Sequence, residues 1–420
     1  MGTNCPAPET PGTCPQDCKT PPTSLRVPNG VSDDLFGGAV PNVGDTLSLQ
    51  FQENVDHLSF PTASKYFQAV SDDLRKKAIV NNGAIVIMNS RTGQSVNVPN
   101  PTLPNDADPT YNNALHSIDL FGGGNLDYLL MNVRYTRKDT GQPATAALRY
   151  VLTGGKYTYS IFGYENAVPS ANGKFAYAGN VIMNLENGSY RKFIRPSLGP
   201  EDGWSRPLSI SNDGTKIAFE GYAIVRKANG TDALTATLIL VNTSTNAVSR
   251  FVPALPPNEY VTFGTYVLSG DFSKIFLNST RSIRSGTTAF AAVRPYVLDP
   301  ATGAVRPLLE NIHSALESPS YPYGYLYGPA VDSASANGNR VLLRAHIYRN
   351  RDGGGLQTTP EYWAYDLPTQ EFISLTAPLE GAAPNKFSTP LGLAPDGQTV
   401  LMKNENDNLV RLHMLISAFQ

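Results

Sequence analysis

One hairpin-shaped stretch recurs along this chain, and a repeat of that kind restricts the fold more than any other property of a sequence. Its clearest copy is Leu208-Ser-Ile-Ser-Asn-Asp-Gly-Thr-Lys-Ile-Ala-Phe-Glu-Gly-Tyr222. Two short apolar runs with period-2 alternation flank Asn212-Asp213-Gly214, a tight-turn signal, so the stretch predicts a β-hairpin. Asp and Gly tolerate the positive φ that such turns demand. Variants stand at Val168–Tyr177, Val267–Phe276, Ala330–Leu343 and Leu391–Leu401, with worn copies at Ala69–Ile79 and His116–Leu130.

Taking Asp73, Gly123, Gly173, Gly214, Ser273, Gly338 and Gly397 as turn markers, the intervals average about 54 residues. That is close to the ~40–50 residues of a four-stranded propeller blade plus insertions. A second hairpin follows six of the markers by roughly 20–30 residues. It is an apolar strand, usually an Asn or Asp, a turn and another strand. Examples are Ile85–Gly93, Val181–Gly188, Leu238–Asn246, Tyr296–Gly303 and Trp363–Gln370, with Tyr150–Gly155 looser.

The last unit lacks its fourth strand after Leu409–Ile416, while Thr46–Phe51 is a spare alternating strand at the other end. Pairing the two would close a ring and leave no open edge. The expectation is an all-β, seven-bladed β-propeller of four-stranded antiparallel blades, closed by an N-terminal strand and spanning residues 41–420. No helix is expected beyond a short one near Asn311–Leu316.

Asn212-Asp-Gly-Thr-Lys-Ile-Ala-Phe219 and Ala394-Pro-Asp-Gly-Gln-Thr-Val-Leu401 resemble the Pro-Asp-Gly-Lys-x-Ile-Ala-Phe hairpin of TolB-type, WD-repeat-like bacterial β-propellers. The resemblance runs from about Tyr66 to the C-terminus. It implies an extracellular, periplasmic or outer-surface protein that serves as a binding scaffold. Some relatives are lyases, cyclases or propeller halves of peptidases, so the motif carries a fold and no activity.

Residues 1–40 hold Pro6, Pro8, Pro11, Pro15, Pro21, Pro22 and Pro28 with almost no apolar periodicity. Such a segment buries too little to offset its chain entropy and is expected to be an extended tail or stalk. The three cysteines, Cys5, Cys14 and Cys18, all lie in it. Their spacing matches no zinc or redox signature. Two readings stand: an exported tail with one disulfide and an odd cysteine for lipidation or intermolecular bonding, or three free thiols. The tail could support self-association. A net charge of -2 provides no general attraction to nucleic acid, and no apolar run is long enough for a spanning helix.

No Gly-x-Ser-x-Gly, His-Glu-x-x-His, Walker loop or Gly-x-Gly-x-x-Gly occurs. Asp119-Leu-Phe-Gly-Gly-Gly-Asn-Leu-Asp127 superficially follows a calcium loop, but Phe121 and Gly123 occupy two ligand positions, leaving Asp119 and Asp127. Its competing reading is a glycine-rich hairpin turn. His57, His116, His313, His346 and His413 fall in separate units, so a metal site would need strands converging from several blades. The enzyme alternative is therefore a metal-dependent lyase or hydrolase acting on a saccharide or peptide in the central funnel.

The main expectation is a non-catalytic binding, scaffold or self-assembly protein whose partner is a protein or glycan. The loops leading into the inner strands repeatedly pair an acid with an aromatic residue: Glu201 and Asp202 with Trp204, Glu259 with Tyr260, and Glu317 with Tyr321, Tyr323, Tyr325 and Tyr327. Rings of this kind supply apolar area and cation–π attraction. The alternative is that these tyrosines pack between blades.

Overall fold

The computed structural model describes residues 47–54, 67–101, 117–309, 327–375 and 387–416, apart from residues 74, 82–83, 90–91, 164, 203, 227–231, 257–258, 286–287, 351–355 and 405–408. The tail and its cysteines lie outside the described residues, as does the stretch near Asn311–Leu316. Among the described residues the chain is all-β, with one 3-10 turn at Gly199–Glu201 and no α-helix.

Strands follow one another as the doubled hairpins predict. The first unit has β2 (Phe67–Ala69), β3 (Lys76–Asn81), β4 (Ala84–Asn89) and β5 (Ser95–Val98). The second has β6 (Ser117–Gly122), β7 (Tyr128–Thr136), β8 (Pro143–Thr153) and β9 (Lys156–Gly163). The third has β10 (Val168–Pro169), β11 (Phe175–Ala178), β12 (Val181–Asn184) and β13 (Tyr190–Lys192). The fourth has β14 (Arg206–Ile210), β15 (Lys216–Arg226), β16 (Asp232–Asn242) and β17 (Val248–Phe251). The fifth has β18 (Glu259–Leu268), β19 (Ile275–Ser285), β20 (Thr288–Leu298) and β21 (Val305–Pro307). The sixth has β22 (Tyr327–Ala334), β23 (Arg340–Asn350), β24 (Leu356–Asp366) and β25 (Glu371–Ser374). The seventh has β26 (Phe387–Leu393), β27 (Thr399–Asn404) and β28 (Leu409–Ile416).

Units three to six are four-stranded antiparallel meanders. In the seventh the outer position is taken by β1 (Leu47–Asn54), antiparallel to β28 with Leu47 opposite Ile416 and Asn54 opposite Val410. The first unit departs from the expected inner hairpin. β2 meets β3 only at the Val70–Lys77 bridge and instead runs parallel to β6, with Ala69 opposite Gly122.

The recurrent turn works through a serine that the hairpin pattern did not single out. Ser71, Ser170, Ser211, Ser269 and Ser335 are buried at the turn entrance, and each hydroxyl donates to the Asp or Asn two residues on at 2.6–2.8 Å. The same oxygen accepts the backbone N–H of the residue five positions on. The next residue along takes a left-handed conformation, supplied by glycine at Gly173, Gly214, Gly338 and Gly397. Leu126 and Phe272 adopt φ 59° in the same place, and both are buried. Their apolar burial offsets the steric penalty that glycine avoids, and Leu126 is one reason the His116–Leu130 copy looks worn in sequence.

These turns touch one another in series. The Asp72 N–H donates to Gly124 O at 2.8 Å, and the Gly124 N–H returns to Asp72 Oδ1 at 2.9 Å. Asn172 N–H donates to Asn212 Oδ1 at 2.9 Å. Asn212 then donates to Gly270 O, Gly270 to Ala336 O and Ala336 to Pro395 O, each at 2.7 Å. Apolar clusters fill the space between successive sheets. One joins Ile85 and Ile87 to Met131 and Tyr150, another Tyr177 to Phe219, a third Leu238 to Leu277, and a fourth Phe276 to Trp363. The core is thus a series of inter-sheet layers rather than one central mass.

Candidate functional site

In the fourth unit, the 3-10 turn Gly199–Glu201 and the segment after it lead into β14. Pro200 suits the second position of such a turn because the N–H groups of the first turn have no partner within the helix anyway. Arg195 holds the segment from the side. Its guanidinium donates to Asp202 Oδ1 at 2.6 Å, Asp202 O at 3.0 Å and Ser205 Oγ at 2.7 Å, while lying 5.0 Å from the Phe219 ring centroid. Arg250 donates to the Leu198 carbonyl. Five contacts therefore fix the loop that carries Trp204.

Trp204 is nevertheless 69 % exposed. It meets Tyr222 edge to face, with ring centroids 5.9 Å apart. On β15, Tyr222 and Ile224 share a face by period-2 alternation, and Leu234 of β16 stands directly opposite Ile224. Ile224 is 72 % exposed and Leu234 61 %. Single exposed apolar residues need no explanation, but Trp204, Tyr222, Ile224 and Leu234 form one continuous patch on an extended hairpin.

Beneath the patch, along the same face of β15, Glu220 is fully buried. Arg206 Nε reaches its Oε2 at 2.9 Å, and its Oε1 accepts the Gly264 N–H at 2.8 Å from the next unit. This polar link sits at a recurring position, the sixth residue after the left-handed one. Asn132 there bonds both backbone groups of Ala167, at 2.8 and 3.0 Å, and Asn278 does the same to Val331. The sequence signal was a polar residue in an otherwise apolar strand.

Glu259 is only 8 % exposed rather than displayed on a loop. Its carboxylate accepts from Arg294 at 2.7 Å, Ser279 Oγ at 2.8 Å and the Tyr296 hydroxyl at 2.7 Å. Burial, and then the bond to Glu259, push the Tyr296 phenol above its ordinary range. Tyr260 beside it is half-buried in β18, opposite Thr280. Asp202 is exposed, and Glu201 closes the 3-10 turn. Tyr327 opens β22, opposite His346. Glu317, Tyr321, Tyr323 and Tyr325 lie outside the described residues.

Asp119 stands in β6 opposite Asn132 of β7, and Asp127 is exposed at the end of the turn that leads into β7. His346 lies in β23 and His413 in β28, and His57, His116 and His313 fall outside the described residues. Among the described residues no group of three or more His, Cys, Asp or Glu side chains could hold a metal ion. Among the described residues no helix is long and apolar enough to cross a membrane.

No protein-family model matches the chain, and no curated protein matches its sequence. Solved structures similar to it include tricorn protease, at 13 % identity and a TM-score of 0.46, covering 89 % of this chain and 36 % of that one. The chain thus spans about a third of that protease's length. The β-propeller domain of the trilobed protease from Pyrococcus furiosus is 14 % identical with a TM-score of 0.39, over 75 % of this chain and 82 % of that one. TolB from Agrobacterium tumefaciens is 15 % identical with a TM-score of 0.30, over 59 % and 73 %.

Proposed function

We propose that this chain is a seven-bladed β-propeller that binds a partner protein through the apolar patch on its fourth blade and performs no chemistry of its own. Three observations support the ring. The first turn is hydrogen-bonded to the second, and the third through the seventh are bonded in series, with Gly123 of the second packed closely against Asn172 of the third. Asp396 of the last turn lies near enough to Asp72 of the first to raise its pKa, and β1 lies against β28.

The binding reading rests on one observation: a rigidly braced loop displays Trp204 to solvent beside Tyr222, Ile224 and Leu234. Surface aromatics held in a fixed place are the residues that dominate protein interfaces, since they bury much area at little entropic cost. The aliphatic half of the patch favours a protein over a glycan, because Ile224 and Leu234 offer neither ring stacking nor hydrogen bonds to hydroxyls. The occupant is expected to present a compact apolar anchor, with polar groups meeting Asp202 and Arg206 at the rim. The Pro-rich tail with Cys5, Cys14 and Cys18 fits an exported protein tethered by that segment.

Photo-crosslinking from position 234 of the full chain in its native host would identify the occupant. The purified hit should then bind the wild-type chain and lose at least tenfold in affinity to W204A and to I224S/L234S, with melting curves unchanged. Equal binding by those variants, or crosslinks confined to glycan or lipid, would overturn the proposal.

A further inference from the structure

A cavity of about 270 Å³ lies between the fifth and sixth sheets, apart from the fourth-unit patch. Irregular strands build both of its walls. Pairing of β18 with β19 lapses between Val261 and Tyr266, and Gly264 in the gap takes φ +75°. The Gly264 N–H is drawn toward Glu220 of the fourth unit, which pulls the strand away from its neighbour and opens the space. On the facing wall, β22 slips register against β23 between Val331 and Ser333, and this slip lifts Asp332 out of the ladder. Bulges that re-aim a side chain concentrate near binding sites.

The chemistry of the lining is divided. Val267 and Val293 supply apolar wall, while Thr262, Thr280, Asp332 and Arg344 supply polar groups. Asn278 and Thr265 also border the cavity, but the Asn278 amide is used on Val331 and the Thr265 hydroxyl on the Thr262 carbonyl. Among the described residues, Asp332 and Arg344 make no ion pair or side-chain hydrogen bond, with each other or with any neighbour. An acid and a guanidinium thus border one small cavity without neutralising each other.

We infer that this cavity binds a small zwitterion, a free α-amino acid with a short side chain. Its carboxylate would take the paired N–H donors of Arg344, and its ammonium the carboxylate of Asp332. The short side chain would rest on Val267 and Val293, with the threonine hydroxyls at its flank. A molecule of one charge would leave the opposite group unmatched, and a monosaccharide could hydrogen-bond both groups but neutralise neither. At about 270 Å³ the space is below the usual range for larger ligands, which favours an occupant of this size.

The test is calorimetric titration of the full chain with glycine, L-alanine, L-serine, acetate, methylammonium and glucose. Alanine or serine should bind, with acetate and methylammonium each at least tenfold weaker and glucose silent. R344M and D332N should each lower the affinity for the amino acid about tenfold while leaving the melting temperature in place, since both side chains are exposed. I224S/L234S should bind the amino acid as the wild type does, which separates this site from the fourth-unit patch. Absence of amino-acid binding at 10 mM, stronger binding of glucose, or unchanged affinity in both charge variants would overturn the assignment.

Discussion

Asn278 of β19 holds both backbone groups of Val331 in the adjacent sheet: its Nδ2 donates to the Val331 carbonyl at 2.9 Å, and its Oδ1 accepts the Val331 N–H at 2.8 Å. The amide is buried, and β22 has no regular ladder partner on that side. Asn278→Ala removes both bonds and strands two backbone groups, so a loss of about 2–3 kcal/mol is expected in chemical denaturation. Asn278→Asp keeps the acceptor but sets a carboxylate oxygen against the Val331 carbonyl. It should be the worse variant at pH 7 and recover as the pH falls toward carboxylate protonation. An alanine variant as stable as the wild type would mean that the clamp contributes nothing.

Glu259 and Arg294 form a second buried contact, within the fifth unit, with side chains nearly inaccessible to solvent. Glu259→Gln leaves the Arg294 charge in a dry site, and such breakage costs about 3–5 kcal/mol. Replacing both, as E259Q/R294M, removes the stranded charge and should restore most of the loss. A double variant no better than E259Q would show that the carboxylate acts chiefly through Ser279 and Tyr296.

Much of this organisation was legible in the sequence. The turn residues fixed where inner hairpins fall, because a left-handed position after an Asp or Asn has few solutions. The outer hairpins followed from alternation and a second turn. Leu126 and Phe272 blurred the turn position in two copies, which the sequence marked at Gly123 and Ser273, since buried apolar side chains stand where the pattern expects glycine. The parallel β2–β6 pairing was invisible, because its partners, Phe67 with Leu120 through Ala69 with Gly122, belong to different units. Glu259 read as a loop acid because Arg294 and Tyr296 lie more than thirty residues away in sequence. Trp204 stood out as a rare aromatic, whereas Ile224 and Leu234 looked like ordinary strand positions. Only their register, opposite each other on one face, marks them as a patch.

Asp72 joins the first turn to the second, and Asp396 of the last turn is among the charges that act on it. Burial raises its pKa, the Gly124 N–H opposes that, and repulsion from Asp73 and Asp396 adds to it. An acid whose folded pKa is raised binds more protons folded than unfolded, so stability falls as pH rises from the ordinary aspartate value through the raised one. Asp72→Asn keeps an acceptor for Gly124 and removes the repulsion. The side chain is partly open to solvent, so the expected gain at pH 7 is small, about 1–2 °C in melting temperature. It should vanish near pH 3.5. A variant less stable than the wild type at pH 7 would show that Asp72 is needed as a charge.

Strand β1 supplies the outer edge of the seventh sheet. A chain beginning at residue 41 retains it, whereas one beginning at residue 55 exposes the full length of β28. The shorter chain should melt at least several degrees lower and aggregate more readily, as an unprotected edge does. The longer one should melt like the full protein. Equal melting of the two would remove β1 from any role in closure.

Two glycines with different surroundings separate backbone strain from crowding between units. Gly93 has φ +68° and open space around the position of a Cβ, so Gly93→Ala should cost only the left-handed strain, about 1 kcal/mol. Gly123 carries no such φ, but a Cβ there would lie 2.0 Å from the Asn172 carbonyl oxygen of the neighbouring turn. The obstacle is backbone, which cannot rotate aside, so Gly123→Ala must part the second and third turns. A loss of about 3 kcal/mol or more is expected, at the upper end of overpacking effects. Lower protection from hydrogen exchange should appear at Asn172, whose N–H bonds Asn212 in the fourth unit, as well as next to residue 123. If Gly123→Ala costs no more than Gly93→Ala, the second and third turns do not depend on their close approach.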